Sequence, residues 1–290
     1  MNDLDAKGIM LHGFPLNRYF YLEFMRQCAF CPSTKLTQEH VWGDWVNGIL
    51  PPETAFTTRR MTSPKGDFTE WKTIGLNQTA RIVCGPCNNH WMSDLETSEA
   101  KPTMADMIRY GGAVSLLPRG IASISAWAFK MTVIANFIGA LKNDEPYFST
   151  LDRYHFANTL EIPSGIQMWL FALKTPGRVT GKFNSHLGRL PIHVKYAFDL
   201  YIATFALGYI GVQVVATRWR NPHVFTVLGA FPGLREPDKW NGTTVPLFPS
   251  DGSPVLWPPR FHLDSNSIDE FCNRWKDVTM PQWMVDGSLV

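Results

Sequence analysis

Apolar positions recur at helical spacing in one stretch of this chain and as short strand-length runs in another. A helical pattern over residues 104–110 follows Pro102, Pro118-Arg119-Gly120 interrupts it, and a second helix is predicted over 121–141. There Trp127, Met131, Ile134 and Ile138 share one face. Beyond Tyr147 the signal becomes strand-like, with runs over 166–173, 194–207, 209–219 and 224–228, each bounded by Gly, Pro or Asn. The proline-rich segment 231–259 reads as an ordered loop pinned by tryptophans rather than as a sheet. A closing helix is predicted over 267–276, with Ser267 as N-cap and Glu270 three residues on. Residues 1–24 read as an extension with aromatic anchors (Phe14, Tyr19, Phe20, Tyr21). From Cys28 to about residue 100 the chain is polar, turn-rich and studded with Trp42, Trp45, Trp71 and Trp91. No internal repeat is present. These shifts divide the chain into 1–24, a cysteine-bearing module 25–102, a helical segment 103–146 and an antiparallel β-rich domain 147–290.

Two stretches are apolar enough to raise the question of a membrane. Residues 121–141 carry Lys130 at their centre, a charge that lipid disfavours. Residues 200–217 carry no charge, yet they are rich in Thr, Tyr, Val and Ile and include Gly208, Gly211 and Gln213. Two buried strands meeting near Gly208 are expected rather than a bilayer helix. The N-terminus is acidic at once and lacks an uninterrupted apolar core, so no signal peptide is expected. The expectation is a cytoplasmic protein with no membrane partner.

Composition narrows the function classes. With 290 residues, 45% apolar and 18% charged, the chain has the material for a large core and is not a disordered or low-complexity protein. Twenty-seven Lys and Arg against 25 Asp and Glu give +2, so any contact with nucleic acid has to come from local patches. Five cysteines are too sparse for a disulfide scaffold.

Four of those five form two C-x-x-C pairs, Cys28-Ala29-Phe30-Cys31 and Cys84-Gly85-Pro86-Cys87. Two thiolates of one such knuckle can grip a single ion, and two knuckles close a tetrahedral four-sulfur shell, the preferred structural zinc site. The competing readings are a redox dithiol and simple packing. A redox pair normally starts a helix after a strand, and two pairs are not required for it. Residues 32–83 must hold additional structure of their own. Cys272 stands alone and is expected to be a buried helix residue.

The insert contains Thr37-Gln38-Glu39-His40-Val41-Trp42, and the second knuckle continues as Asn88-Asn89-His90-Trp91-Met92. A C-x-x-C, an acidic residue followed by His, then C-x-x-C-Asn resembles the HNH (ββα-metal) endonucleases, closest in plan to the four-cysteine branch that includes recombination endonuclease VII. The resemblance covers roughly residues 25–100 and rests on short motifs. It implies a zinc-stabilised treble-clef module over that span, and with the helices and the antiparallel β-rich C-terminal domain read from the pattern the chain is expected to be α+β. It further implies that Cys28, Cys31, Cys84 and Cys87 hold a structural Zn²⁺, that Glu39 and Asn88 bind a catalytic Mg²⁺ or Mn²⁺, and that His40 is the general base. Asn77 is the candidate for the middle residue of the triplet, and His90 for a further ligand or a contact to the scissile phosphate. In the family the residue at position 39 is also found as Asp, one methylene shorter.

The chemistry suits those residue types. Phosphodiester hydrolysis needs a water deprotonated near neutral pH, which an imidazole can do. It also needs positive charge at the phosphoryl oxygens, which a hard cation held by carboxylate and amide oxygens supplies. Glu39 and His40 point to opposite faces of an extended strand, so both serve one site only if the strand is twisted or bulged there. Arg59, Arg60, Lys65 and Lys72 are candidates for tracking phosphates, with Arg218, Arg220 and His223 weaker ones, and solvated surface charge is the bland alternative. Trp91 and Leu95 read as core. The expected function is a metal-dependent endonuclease acting on nucleic acid, with DNA favoured. The alternative is a catalytically inactive zinc-knuckle module that binds nucleic acid or protein. The apolar segment 120–230 is a candidate surface for homo-oligomerisation or for a regulatory protein partner.

Overall fold

The computed structural model describes residues 27–50, 55–61, 68–74, 79–140, 146–175, 182–190, 198–219, 238–264, 267–272, 274 and 275. The extension expected over 1–24, the strand expected over 224–228, and Lys65, Asn77, Arg220 and His223 lie outside them. The described part mixes helices with antiparallel sheets.

The first cysteine pair leads into β1 (Leu36–His40), followed by the short helix α1 (Asp44–Ile49), which buries Trp45, Val46 and Ile49. The insert then forms a hairpin, β2 (Ala55–Met61) against β3 (Phe68–Ile74), and returns as β4 (Thr79–Cys84), antiparallel to β1. This is the additional structure that the long gap between knuckles demands. Helical backbone begins at the second knuckle with α2 (Gly85–Cys87), passes through wide π-turns at Asn88–Met92 and Leu95–Ala100, and ends as α3 (Lys101–Tyr110). The run from 85 to 110 is unbroken and crosses residue 102. Pro102 has no N–H for the Ser98 carbonyl and its ring crowds that carbonyl, so a widened turn just ahead of it lets the helix continue.

Gly111, in the left-handed region at φ 64°, stops α3 much earlier than the 118–120 interruption predicts. Residues 114–116 pair instead as β5 (Val114–Leu116), too short to show a period in sequence. Pro118 then opens α4 (Pro118–Ala140) rather than breaking a helix, since proline at the first helical position loses no bond the helix would have made. Pro118–Ile138 is long and apolar enough to cross a membrane by length and composition, but 89% of its most apolar window is buried inside the protein. Its buried charge, Lys130, is 2% exposed and ion-paired with Glu96 from the second wide turn.

The strand-like signal beyond Tyr147 overlooks a helix, α5 (Thr150–Thr159). Ser149 caps it: its Oγ accepts the Asp152 N–H at 3.2 Å, and Asp152 Oδ2 accepts the Ser149 N–H at 3.2 Å. The remaining strands are β6 (Ile166–Ala172), β7 (Lys182–Leu190), β8 (Phe198–Leu207), β9 (Ile210–Trp219), β10 (Thr244–Phe248) and β11 (Val255–Trp257). Five form one antiparallel sheet in the order β10-β6-β9-β8-β7, and β11 pairs with β5. The uncharged stretch 200–217 is thus two strands joined at Gly208-Tyr209, as its composition predicts. Gly208, at φ 55°, opens the two-residue turn, and the Tyr209 N–H donates to Ile108 O on α3 at 3.1 Å. Gln213, fully buried, donates to Thr204 Oγ1 at 2.9 Å on the neighbouring strand and accepts from Trp275 Nε1 at 2.7 Å.

Two expectations for the C-terminal part are corrected. Segment 231–259 is pinned by buried Trp240 and Trp257 as expected, but it also contains β10 and β11. β10 tolerates Pro246 because it is an edge strand, and its register shifts between Pro246 and Phe248. The closing helix α6 (Ser267–Cys272) is capped by Asp264 rather than Ser267. Asp264 Oδ1 accepts the Ser267 N–H and Ser267 Oγ accepts the Asp264 N–H, each at 2.9 Å. Cys272 is buried on it, as predicted.

Candidate metal centre

Turn chemistry and strand pairing bring the two knuckles together. The Cys28 N–H donates to Ser33 O at 2.7 Å, closing the first knuckle, and the Ala29 N–H donates to Ile82 O at 2.8 Å, tying it to β4. Leu36 pairs with Cys84, so the strand that leaves the first knuckle lies beside the strand that enters the second. Pro86 at the start of α2 turns the second knuckle into helix.

The four sulfur atoms of Cys28, Cys31, Cys84 and Cys87 lie within 4.8 Å of one another, three of the residues being buried and Cys31 half-buried. A tetrahedral zinc with Zn–S near 2.3 Å places its sulfurs about 3.8 Å apart. Cys31 Sγ and Cys84 Sγ are 3.4 Å apart, and none of the four is in a disulfide. The set therefore fits a four-thiolate metal site. Cys28 Sγ also receives the N–H groups of Phe30 at 3.4 Å and Cys84 at 3.3 Å, the amides that such knuckles turn toward a thiolate.

Protonation of the cluster follows from its crowding. The Cys87 thiol, donating to Cys28, holds Cys28 well below the ordinary thiol range at about 5, with the Phe30 and Cys84 amides helping and burial opposing. The same bond pushes Cys87 strongly up, and burial pushes Cys31 up to about 11. One sulfur is thus ready as thiolate while Cys31 and Cys87 hold their protons, and a divalent ion is the species that can replace those protons. The Trp91 indole N–H is buried without a well-formed hydrogen bond, and it favours the thiolate form of Cys87.

The remaining site residues are placed less fully. His40 ends β1, half-buried, with Nδ1 3.1 Å from Asp44 Oδ1 at the start of α1. Glu39 stands on β1 opposite Ala80, and its side chain, like Asn77, lies outside the described residues. The pairing shifts between Thr37 and Glu39, where Gln38 alone faces Arg81 and Ile82 of β4, the kind of bulge that increases local twist. Asn88 is the first residue past the second knuckle, and its Nδ2 donates to Asn89 Oδ1 at 3.3 Å. His90 is exposed on the same wide turn. The four cysteines are brought together; the bonds of His40 and Asn88 do not join those two residues to each other.

The candidate phosphate contacts divide similarly. Arg59, Arg60 and Lys72 fall on the β2–β3 hairpin, with their side chains outside the described residues. Arg218 is engaged internally, donating to Tyr147 O at 2.9 Å with its guanidinium 4.9 Å from the Tyr147 ring. Trp91 and Leu95 are packing residues: Leu95 is buried, and Trp91 meets Phe30 and Phe156 edge-on at 5.1 and 5.7 Å.

Sequence reasoning missed two residues here. Asp44 has a visible signal, its spacing of four after His40. Arg153 has none: it reaches the carbonyl of Ala29, 124 positions away, from a helix that the sequence reading does not contain. No family model, curated protein or solved structure matches the chain.

Proposed function

We propose that the chain is a metal-dependent endonuclease of the HNH type, its cysteine cluster being the structural zinc site of a treble-clef module. The observation that carries the reading is the convergence of the four sulfurs, because β1, which ends in Glu39-His40, leaves the first knuckle and the helical run that carries Asn88 begins at the second. In this reading Glu39 and Asn88 would hold the Mg²⁺ or Mn²⁺, whose chemistry is charge neutralisation at the phosphoryl oxygens. His40 takes the proton from the attacking water. The Asp44 carboxylate at Nδ1 favours the tautomer that leaves Nε2 as the proton acceptor. Asn77 and His90 remain the candidates for orienting the loop and contacting the phosphate. Glu39 and His40 pair in regular register with Ala80 and Thr79, so they face apart on β1, and the reading requires the added twist from the neighbouring bulge in β4 to turn both toward one site.

The test is cleavage of plasmid and single-stranded DNA with Mg²⁺ or Mn²⁺. His40→Ala is expected to abolish cutting with zinc content unchanged, and nicking that survives the substitution overturns the proposal. No cutting under either metal, combined with salt-sensitive retention of nucleic acid, identifies a zinc-knuckle binding module instead.

A further inference from the structure

Arg153 lies on α5, 1% exposed, inside the protein and against the first knuckle. Its Nη1 donates to Ala29 O, its Nε to Phe148 O at 3.1 Å and its Nη2 to Thr150 Oγ1 at 3.1 Å, and the guanidinium lies 4.6 Å from the Phe137 ring centre. Burial draws Arg153 down to about 10, while Tyr154, Cys28 and Asp152 act the other way. The Ala29 carbonyl belongs to the same peptide unit as the Phe30 N–H, which points at Cys28 Sγ at 3.4 Å. A cation on the oxygen of a peptide polarises it and strengthens its N–H as a donor.

Four thiolates around one Zn²⁺ carry a net charge of −2, which is costly to enclose unless positive charge and N–H donors face it. We propose that Arg153 is a positioning residue of the metal centre. It grips the Ala29–Phe30 peptide whose N–H faces Cys28, and it supplies enclosed positive charge beside the thiolates. The inference rests on the zinc reading of the cluster, and it makes helix α5, more than sixty residues beyond the second knuckle, part of the metal site rather than a neighbour of it.

The experiment uses the full-length protein loaded with zinc, its metal content measured and its release to a chromogenic chelator timed. Stoichiometric zinc is expected in the wild type. Arg153→Met is expected to release it about ten- to a hundred-fold faster, the usual effect of losing an outer-shell partner. Arg153→Lys keeps the charge but not the forked donation, so its release falls between the two. In Co²⁺-loaded protein, Arg153→Met moves the thiolate-to-cobalt charge-transfer band to lower energy, because removing a nearby cation raises the sulfur donor orbitals; Arg153→Lys leaves the band in place. Phe156→Leu loosens the same aromatic cluster and lowers the melting temperature without moving the band, which separates packing from charge. A wild type without stoichiometric zinc overturns the metal reading itself. Stoichiometric zinc with wild-type release and band position in Arg153→Met overturns the role of Arg153 alone. Where Arg153→Met does not fold, wild-type release in Arg153→Lys overturns it.

Discussion

Lys130 is a charge that the interior would reject if it stood alone. It sits at the centre of α4, 2% exposed, and its partner Glu96 is drawn from the helical run that starts at the second knuckle. Removing one member of such a pair leaves the other uncompensated, so Lys130→Met is expected to cost about 3–5 kcal/mol in denaturant unfolding. Lys130→Met combined with Glu96→Met is expected to recover most of that loss, because two apolar side chains leave no buried charge. A double variant as unstable as the single one contradicts this account. The knuckle residues behave differently, since a metal held by the cluster would draw one quarter of its shell from each. Cys84→Ser is expected to lose zinc by elemental analysis, whereas Cys272→Ser, on α6 and outside the cluster, is expected to keep it.

The elements show which local signals carry through. The β8–β9 hairpin is legible because Gly208 divides an apolar stretch into two strand-length halves with a residue suited to a tight turn, and the turn it makes rests on α3. A side chain there would both strain the positive φ and run into Ile108 O, so Gly208→Ala is expected to lower the melting temperature by several degrees. Helix α5 is not legible by periodicity, because it buries only Arg153 and Phe156. Its signature is the Ser149-x-x-Asp152 capping box, and Ser149→Ala is expected to cost about 1 kcal/mol, read from unfolding curves. Strands β5, β10 and β11 were hidden for another reason. Each is three to five residues long and earns its place by pairing with a distant partner, Val255 with Leu116 and Thr244 with Phe171.

At the scale of the molecule, the four-cysteine cluster is wired into the core rather than appended to it. Phe30 packs on Trp91, Trp91 on Phe156, and Phe156 on Phe129 of α4 at 4.7 Å, so one aromatic chain runs from the first knuckle to the central helix. Metal loss is therefore expected to lower the stability of the whole protein and not of the knuckles alone. Zinc bound a thousand-fold above its dissociation constant contributes about 4 kcal/mol by mass action. The pH dependence follows from the thiols. Cys31 and Cys87 hold protons more tightly than ordinary thiols, so binding must expel them and affinity falls as pH falls. Cys28 resists until about pH 5, where it too is protonated. Zinc release and a fall in melting temperature are expected to track each other on acidification, and a melting temperature indifferent to a chelator contradicts the wiring described here.

The sequence by itself determined the features whose chemistry is local. A C-x-x-C spacing lets two sulfurs reach one point whatever surrounds it, a charge-free run broken by Gly208 makes a hairpin, and apolar residues at helical spacing make most of the 23-residue α4. It also set His40 directly after Glu39 and Asn88 directly after Cys87, which is as far as the proposed catalytic half of the site is legible. Only the tertiary structure decided that Arg153 meets Ala29, that Glu96 meets Lys130, that β5 pairs with β11 and that a bulge falls beside Glu39. These contacts depend on how whole elements pack across long closed loops, and the entropy of closing such a loop grows so slowly with its length that the intervening residues carry no trace of the contact they allow.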